Sequence, residues 1–377
     1  MDIPRSRPSN FRALTLCALL IVIAITYAAT AAAEDVGVCG PFGNPPARLI
    51  GPVKPDCGIG ELLGPWKDGN GTDRYACLYK SKSAGAHIKL PLLIYLHPSE
   101  FQANTITRTD LLNFQNSYVL SGDPKRPGFN LLAPQGRKTV HRYPLGDRGG
   151  TGWDNWYRQF NPAGEVKVGD AVFPENPDAA AIDHFVAQQV AAGEVDTDRI
   201  YVTGWSNGAA MASLYALNRS GVAAAAVYSA PDPFDAFDDP CAQMPVTVDS
   251  ASSAEIRILN PRVPTLHLHN ACDVAGICPN GEKLAADLRA AGIKVRDVII
   301  DASRRRVRTC VAYCGSNPNG ELSILRHPVG YYLGLRHHDR WPAEWNRYLL
   351  DFLRRNSLNA GVKRTPNEVS MSRDDRN

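Results

Sequence analysis

Ser206 stands at the centre of Gly204-Trp205-Ser206-Asn207-Gly208, directly after the strand-like run Arg199-Ile200-Tyr201-Val202-Thr203 and directly before an alanine-rich stretch. A serine flanked by glycines at a strand-to-helix junction reads as a nucleophile elbow: a sharp turn exposes the hydroxyl, and the glycines allow close backbone approach. The pentapeptide alone also fits an ordinary tight turn, and its flanks are what favour the elbow. Ala209, Ala210, Met211, Ala212, Leu214 and Leu217 suit a small-faced helix packed on a sheet, ended by Gly221. The start of that helix would offer the N–H of Asn207 to a developing oxyanion. A serine hydroxyl is a weak nucleophile by itself, so it needs a base within hydrogen-bond reach and an acid that orients that base. For a serine on such an elbow the chain order is serine, then aspartate or glutamate, then histidine. Asp273 follows a strand-like run at residues 263–269, with Asp232 and Asp235 as rival acids after the preceding strand. The histidine comes from His337-His338, with His338 the first choice as base and His337 the second. The chemistry implied is acyl transfer through a covalent serine intermediate.

The elements around these residues alternate between strand and helix. Residues 75–79, 87–96 and 129–133 read as strands, the second nearly all apolar in its later half, as a strand buried on both faces should be. Asn176-Pro177 supplies a helix start, with Ile182, Phe185, Val186 and Val190 at helical spacing and Gly193 as the stop. Beyond the elbow helix, residues 223–228, 263–269, 295–300 and 322–327 read as strands, residues 281–291 as a helix, and a last helix begins at Pro342. This alternation predicts a mainly parallel sheet with helices on both faces, whose chemistry belongs at the carboxyl ends of the strands. Residues 150–157 read as a polar, aromatic loop, from which Trp153 and Trp156 would line a substrate cleft; Trp205, beside the nucleophile, would shape the acyl pocket. His97, His267 and His269 fall on or at the ends of strands and read as satisfied core groups.

The N-terminus carries Arg5, Arg7 and Arg12, then an apolar run over residues 13–29, then Ala31-Ala32-Ala33. This is a secretory signal layout with cleavage expected after Ala33, an uncleaved signal anchor being the alternative. Residues 34–72, rich in glycine and proline, read as an irregular leader tied down by disulfides; residues 73–357 read as the catalytic domain and 358–377 as a disordered polar tail. Of nine cysteines, Cys17 lies in the apolar run. The other eight point to disulfides in an oxidising compartment, with Cys272–Cys278 and Cys310–Cys314 as attractive local pairs among many connectivities. No C-x-x-C pair with a matching second half favours zinc, and the reading includes no metal. A net charge of +3 with 21% charged residues argues against a nucleic-acid binder. The expected location is therefore secreted or periplasmic, without stable membrane insertion after signal cleavage, and nothing indicates an oligomer.

The ordered set of Gly204-Trp205-Ser206-Asn207-Gly208, the run from Val263 to Asp273 containing His267-Leu268-His269-Asn270-Ala271-Cys272-Asp273, and His338 before Trp341-Pro342 resembles secreted esterases related to polyhydroxyalkanoate depolymerases and feruloyl or acetylxylan esterases. The resemblance runs from about residue 75 to about 353. It implies an α/β-hydrolase fold, a serine–histidine–aspartate triad and hydrolysis of carboxylic esters without a cofactor, the partner being an ester substrate. This chain departs from the family at His97-Pro98, where His-Gly is usual. Proline has no N–H to donate, so a second oxyanion donor would shift to Ser99 or Glu100. The histidine also departs, the family position two residues before Trp-Pro being Asp339 here, which is why His337 stays beside His338. A serine peptidase or a non-catalytic binding protein on the same scaffold are the competing readings.

Overall fold

The computed structural model describes residues 52–69, 71–85, 88–143, 146–153, 165–168, 171–174, 176–231, 233, 260–270, 280–300 and 338–359. Eight strands form one sheet: β1 (Glu61–Lys67), β2 (Asp73–Tyr79), β3 (Leu90–Leu96), β4 (Asn130–Pro134), β5 (Val195–Trp205), β6 (Ala224–Tyr228), β7 (Thr265–Asn270) and β8 (Val295–Ile300). Their order is β1-β2-β4-β3-β5-β6-β7-β8. β2 runs antiparallel to both of its neighbours, and every other neighbouring pair is parallel. Among the described residues, four helices of nine residues or more accompany the sheet: α1 (Pro177–Ala191), α2 (Asn207–Asn218), α3 (Asn280–Ala290) and α4 (Asn346–Arg354). This strand order, with one reversed strand and a serine on the turn after β5, is the α/β-hydrolase fold.

Side-chain alternation divides the core between the two faces. All seven residues of β3 are buried. Leu92, Ile94 and Leu96 pack with Ile182 and Phe185 of α1, Met211 and Leu214 of α2, and Leu284 and Leu288 of α3. Leu93 and Tyr95 point the other way, into a cluster with Trp205, Trp341 and Leu349, Leu350 and Leu353 of α4. A strand covered on both sides has no polar face to show, which explains the near-continuous apolar run in the sequence. α2 is buried along its whole length, as its alanines allow. α1 starts as its sequence predicts: the Asn176 side chain accepts from the N–H groups of Asp178 and Ala179, and Pro177 occupies the first turn.

Several expectations change. The leader is not irregular throughout, because residues 61–67 form β1 and pair with β2 across a register shift between Leu63 and Trp66. It is joined to β2 by the Cys57–Cys77 disulfide. The β1–β2 turn is anchored by a buried cluster in which Arg74 pairs with Asp68 at 3.0 Å and with Asp178 at the start of α1. The polar segment around residue 150 is half of an antiparallel ribbon, Arg137–Tyr143 with Gly146–Gly152, and a second ribbon joins Glu165–Val168 to Ala171–Pro174. β5 starts at Val195, four residues before the strand-like run that begins at Arg199. The signal segment, the strand expected at residues 322–327, the tail from residue 360 and the cysteine pairs 272–278 and 310–314 lie outside the described residues. Among the described residues no helix is long and apolar enough to cross a membrane, and no group of three or more His, Cys, Asp or Glu is placed to hold a metal ion.

Candidate active site

Ser206 follows the last residue of β5 and precedes the first of α2, with φ 57° and ψ −125°. A non-glycine residue in this region is strained, by about 1–3 kcal/mol, and holds only where its surroundings over-determine it. Those surroundings are visible. The Ser206 N–H donates to the Tyr228 carbonyl of β6 at 3.0 Å, while its carbonyl accepts from Ala209 at 2.8 Å and Ala210 at 3.1 Å. The two glycines are required by space: a Cβ on Gly204 would lie 2.3 Å from the Gly208 carbonyl oxygen, and one on Gly208 would lie 2.3 Å from that of Leu96. Both obstacles are backbone, which cannot move aside cheaply.

His338 reaches this serine from the segment before α4, its Nε2 2.6 Å from Ser206 Oγ. The backbone carbonyl of His338 accepts from the Trp205 indole N–H at 2.8 Å. The same segment is anchored again at Trp341, whose indole N–H donates to Asn346 Oδ1 at 2.7 Å, while Asn346 Nδ2 donates to the Thr109 carbonyl at 2.6 Å. Trp341 meets Tyr95, Tyr228 and Trp205 edge-on, so an aromatic cluster lies beneath the histidine.

A second set of contacts fixes the loop after β3. Trp153 donates its indole N–H to the His97 carbonyl at 2.8 Å and packs its ring against the imidazole at 4.9 Å. The Asn207 side chain holds Trp153 from both sides, Oδ1 accepting from its N–H at 2.8 Å and Nδ2 donating to its carbonyl at 3.2 Å. His97 Nε2 accepts from the Gly136 N–H at 2.9 Å, and its Nδ1 lies 2.8 Å from the Pro98 carbonyl, an arrangement served by the tautomer protonated on Nδ1. Gln135 Oε1 accepts from Ala103 N–H at 2.9 Å, closing the far end of the loop. Within it, Glu100 takes φ 64° and donates its N–H to Thr151 at 2.7 Å.

Of the residues singled out from the sequence, Ser206 and His338 meet, Asn207 begins α2, and Ser99 lies half-buried in the loop after β3. Two expected cleft residues are placed differently. Trp153 has no exposed surface and Trp205 is 3% exposed, because each turns its only polar atom inward to a backbone carbonyl. Both rings are buried. Asp273, His337 and Trp156, with the rival acids Asp232 and Asp235, lie outside the described residues. His97, His267 and His269 are buried. His267 and His269 project from one face of β7, with His269 Nδ1 3.3 Å from Asp297 of β8, and burial pushes the His267 imidazole down to about 4. Sequence reasoning passed over Gln135, Thr151 and Asn346. Their partners are distant in the chain, and a lone amide or hydroxyl gives no local signal of such a bond.

No protein-family model matches the chain, and no curated protein matches it. Solved structures do. A thermostable esterase is similar with a TM-score of 0.38 and 16% identity, the alignment covering 70% of this chain and 60% of that one. Thermogutta terrifontis esterase 2 phosphoramylated by tabun is similar with a TM-score of 0.43 and 15% identity, over 66% of this chain and 85% of that one. A Bacillus cereus carboxylesterase is similar with a TM-score of 0.36 and 12% identity, over 64% and 94% of the two chains. What Ser206 and His338 can do therefore follows from their own geometry.

Proposed function

We propose that this chain is a serine hydrolase that cleaves carboxylic esters through an acyl-enzyme at Ser206. The observation that carries the reading is the 2.6 Å contact between Ser206 Oγ and His338 Nε2, made by a serine held in a strained turn at a helix start. In the proposed reaction Oγ attacks the ester carbonyl carbon while its proton passes to His338 Nε2. The oxyanion gathers beside the N–H of Asn207, which as the first residue of α2 has no acceptor within its own helix. Pro98 has no N–H and that of Glu100 is directed to Thr151; Ser99, between them in the loop after β3, is the second donor proposed. Collapse of the tetrahedral intermediate returns the proton from Nε2 to the leaving alcohol, and water, activated by the same imidazole, releases the acid. A base that accepts at Nε2 carries its proton on Nδ1, and Asp273, three residues beyond the end of β7, is the acid proposed to face it.

We further propose export through the N-terminal segment and an ester substrate of the polyester or feruloylated or acetylated polysaccharide kind, on the resemblance of the motifs quoted above. A fluorophosphonate probe tests the core of the reading. Peptide mapping should place the label on Ser206, and Ser206→Ala should abolish both labelling and ester hydrolysis. A folded wild-type protein that takes no label would refute an activated serine, and labelling elsewhere would refute its assignment.

A further inference from the structure

The indole of Trp205 has one polar atom, an N–H that can only donate, and it is spent on the backbone carbonyl of His338 at 2.8 Å. Leaving that acceptor would strand the N–H of a ring that is 3% exposed. Phe101 stacks beside it at 6.3 Å with an interplanar angle of 16°, and Trp341 and Tyr228 meet it at 6.2 and 6.4 Å. Trp205 is also the last residue of β5, covalently next to Ser206. Its Cα therefore sits at the root of the nucleophile while its nitrogen sits at the root of the base. Transfer of a proton between two such groups tolerates little displacement, since misplacement by about 1 Å can cost about 100-fold in rate.

We propose that Trp205 is a positioning residue that sets the height of His338 above Ser206 through the His338 carbonyl; this rests on the reading of those two residues as base and nucleophile. The role differs from filling the core. Phenylalanine at this position keeps an aromatic ring between Phe101, Tyr228 and Trp341 but has nothing to donate, and the His338 carbonyl loses this bond to the elbow. Substrate binding does not involve the buried ring, so the effect falls on turnover.

The test is a double-mutant cycle of Trp205→Phe with His338→Ala, read as kcat and KM on a simple aryl ester. Trp205→Phe should lower kcat at least tenfold with KM changed less than twofold, and should slow fluorophosphonate labelling in proportion. On the His338→Ala background the same substitution should change the residual rate less than twofold, because the group it positions is gone. Equal losses on both backgrounds would show a packing role and overturn the inference, as would a Trp205→Phe protein with wild-type kcat. If Trp205→Phe fails to fold, replacing Trp205 with 3-benzothienylalanine, which keeps the ring outline and puts sulfur in place of N–H, reads the same quantity. A wild-type protein that neither hydrolyses esters nor takes the probe, or a His338→Ala protein of full activity, would instead overturn the assignment of the nucleophile or base.

Discussion

His267 allows the acid sensitivity of the fold to be worked out in advance. The residue is 4% exposed, on the strand β7 that leads toward the proposed acid. Burial is the largest influence on its imidazole; the Asp297 carboxylate opposes it, the charges of His269 and Arg289 reinforce it, and the result lies at about 4 against an ordinary 6.5. The folded state therefore favours neutral imidazole, and between pH 6.5 and 4 the unfolded chain binds the extra proton. Stability is complete above about pH 6.5 and is lost as pH falls through this window, the opposite of a histidine that gains a carboxylate partner. The difference between 6.5 and about 4 corresponds to about 3 kcal/mol in full. By linkage the loss is about 1 kcal/mol at pH 6, about 2 at pH 5 and about 3 at pH 4, a large part of the 5–15 kcal/mol typical of a domain. The perturbation is His267→Gln, which removes this imidazole from the buried strand. Urea denaturation of both proteins from pH 7.5 to 4 is the assay, and the stability difference should shift by about 3 kcal/mol in favour of the variant as pH falls. A difference constant to within about 0.5 kcal/mol across that range would refute the reasoning.

Two further perturbations test how the site is supported. Arg74→Met removes the guanidinium that pairs with the buried Asp68 and Asp178 carboxylates, and should destabilise by about 3–5 kcal/mol in denaturant titration; adding Asp68→Asn and Asp178→Asn should recover part of the loss. Asn346→Ala removes the acceptor of the Trp341 indole and the donor to Thr109, both buried, so it should cost about 2–4 kcal/mol in thermal unfolding and lower kcat through the His338 segment.

Much of this architecture is legible along the chain. The Asn176-Pro177 start of α1, the double-faced apolar run of β3 and the glycines flanking Ser206 each express a requirement met within a few residues: an unsatisfied helix amide, two covered sheet faces, a turn where Cβ has no room. β1 was not legible. It is an edge strand with only Leu63 buried, and Gly64-Pro65 interrupts its alternation, so no period marks it. The ribbon of residues 137–143 and 146–152 is illegible for a related reason, its second strand, Gly-Asp-Arg-Gly-Gly-Thr-Gly, having the composition of a loop.

The sequence by itself determined where an activated serine would have to stand and that strands and helices would alternate around it, because these depend on neighbours in the chain. Tertiary structure alone decided which way the tryptophans face. A tryptophan is amphipathic enough to line a cleft or to brace a loop, and the choice depends on whether a carbonyl lies within reach of its nitrogen. For Trp205 that carbonyl belongs to His338, separated by 133 residues, and for Trp153 to His97, separated by 56. Only folding brings such pairs together. Their energy comes from removing the indole from water while leaving its N–H satisfied, a condition that no local stretch of sequence expresses.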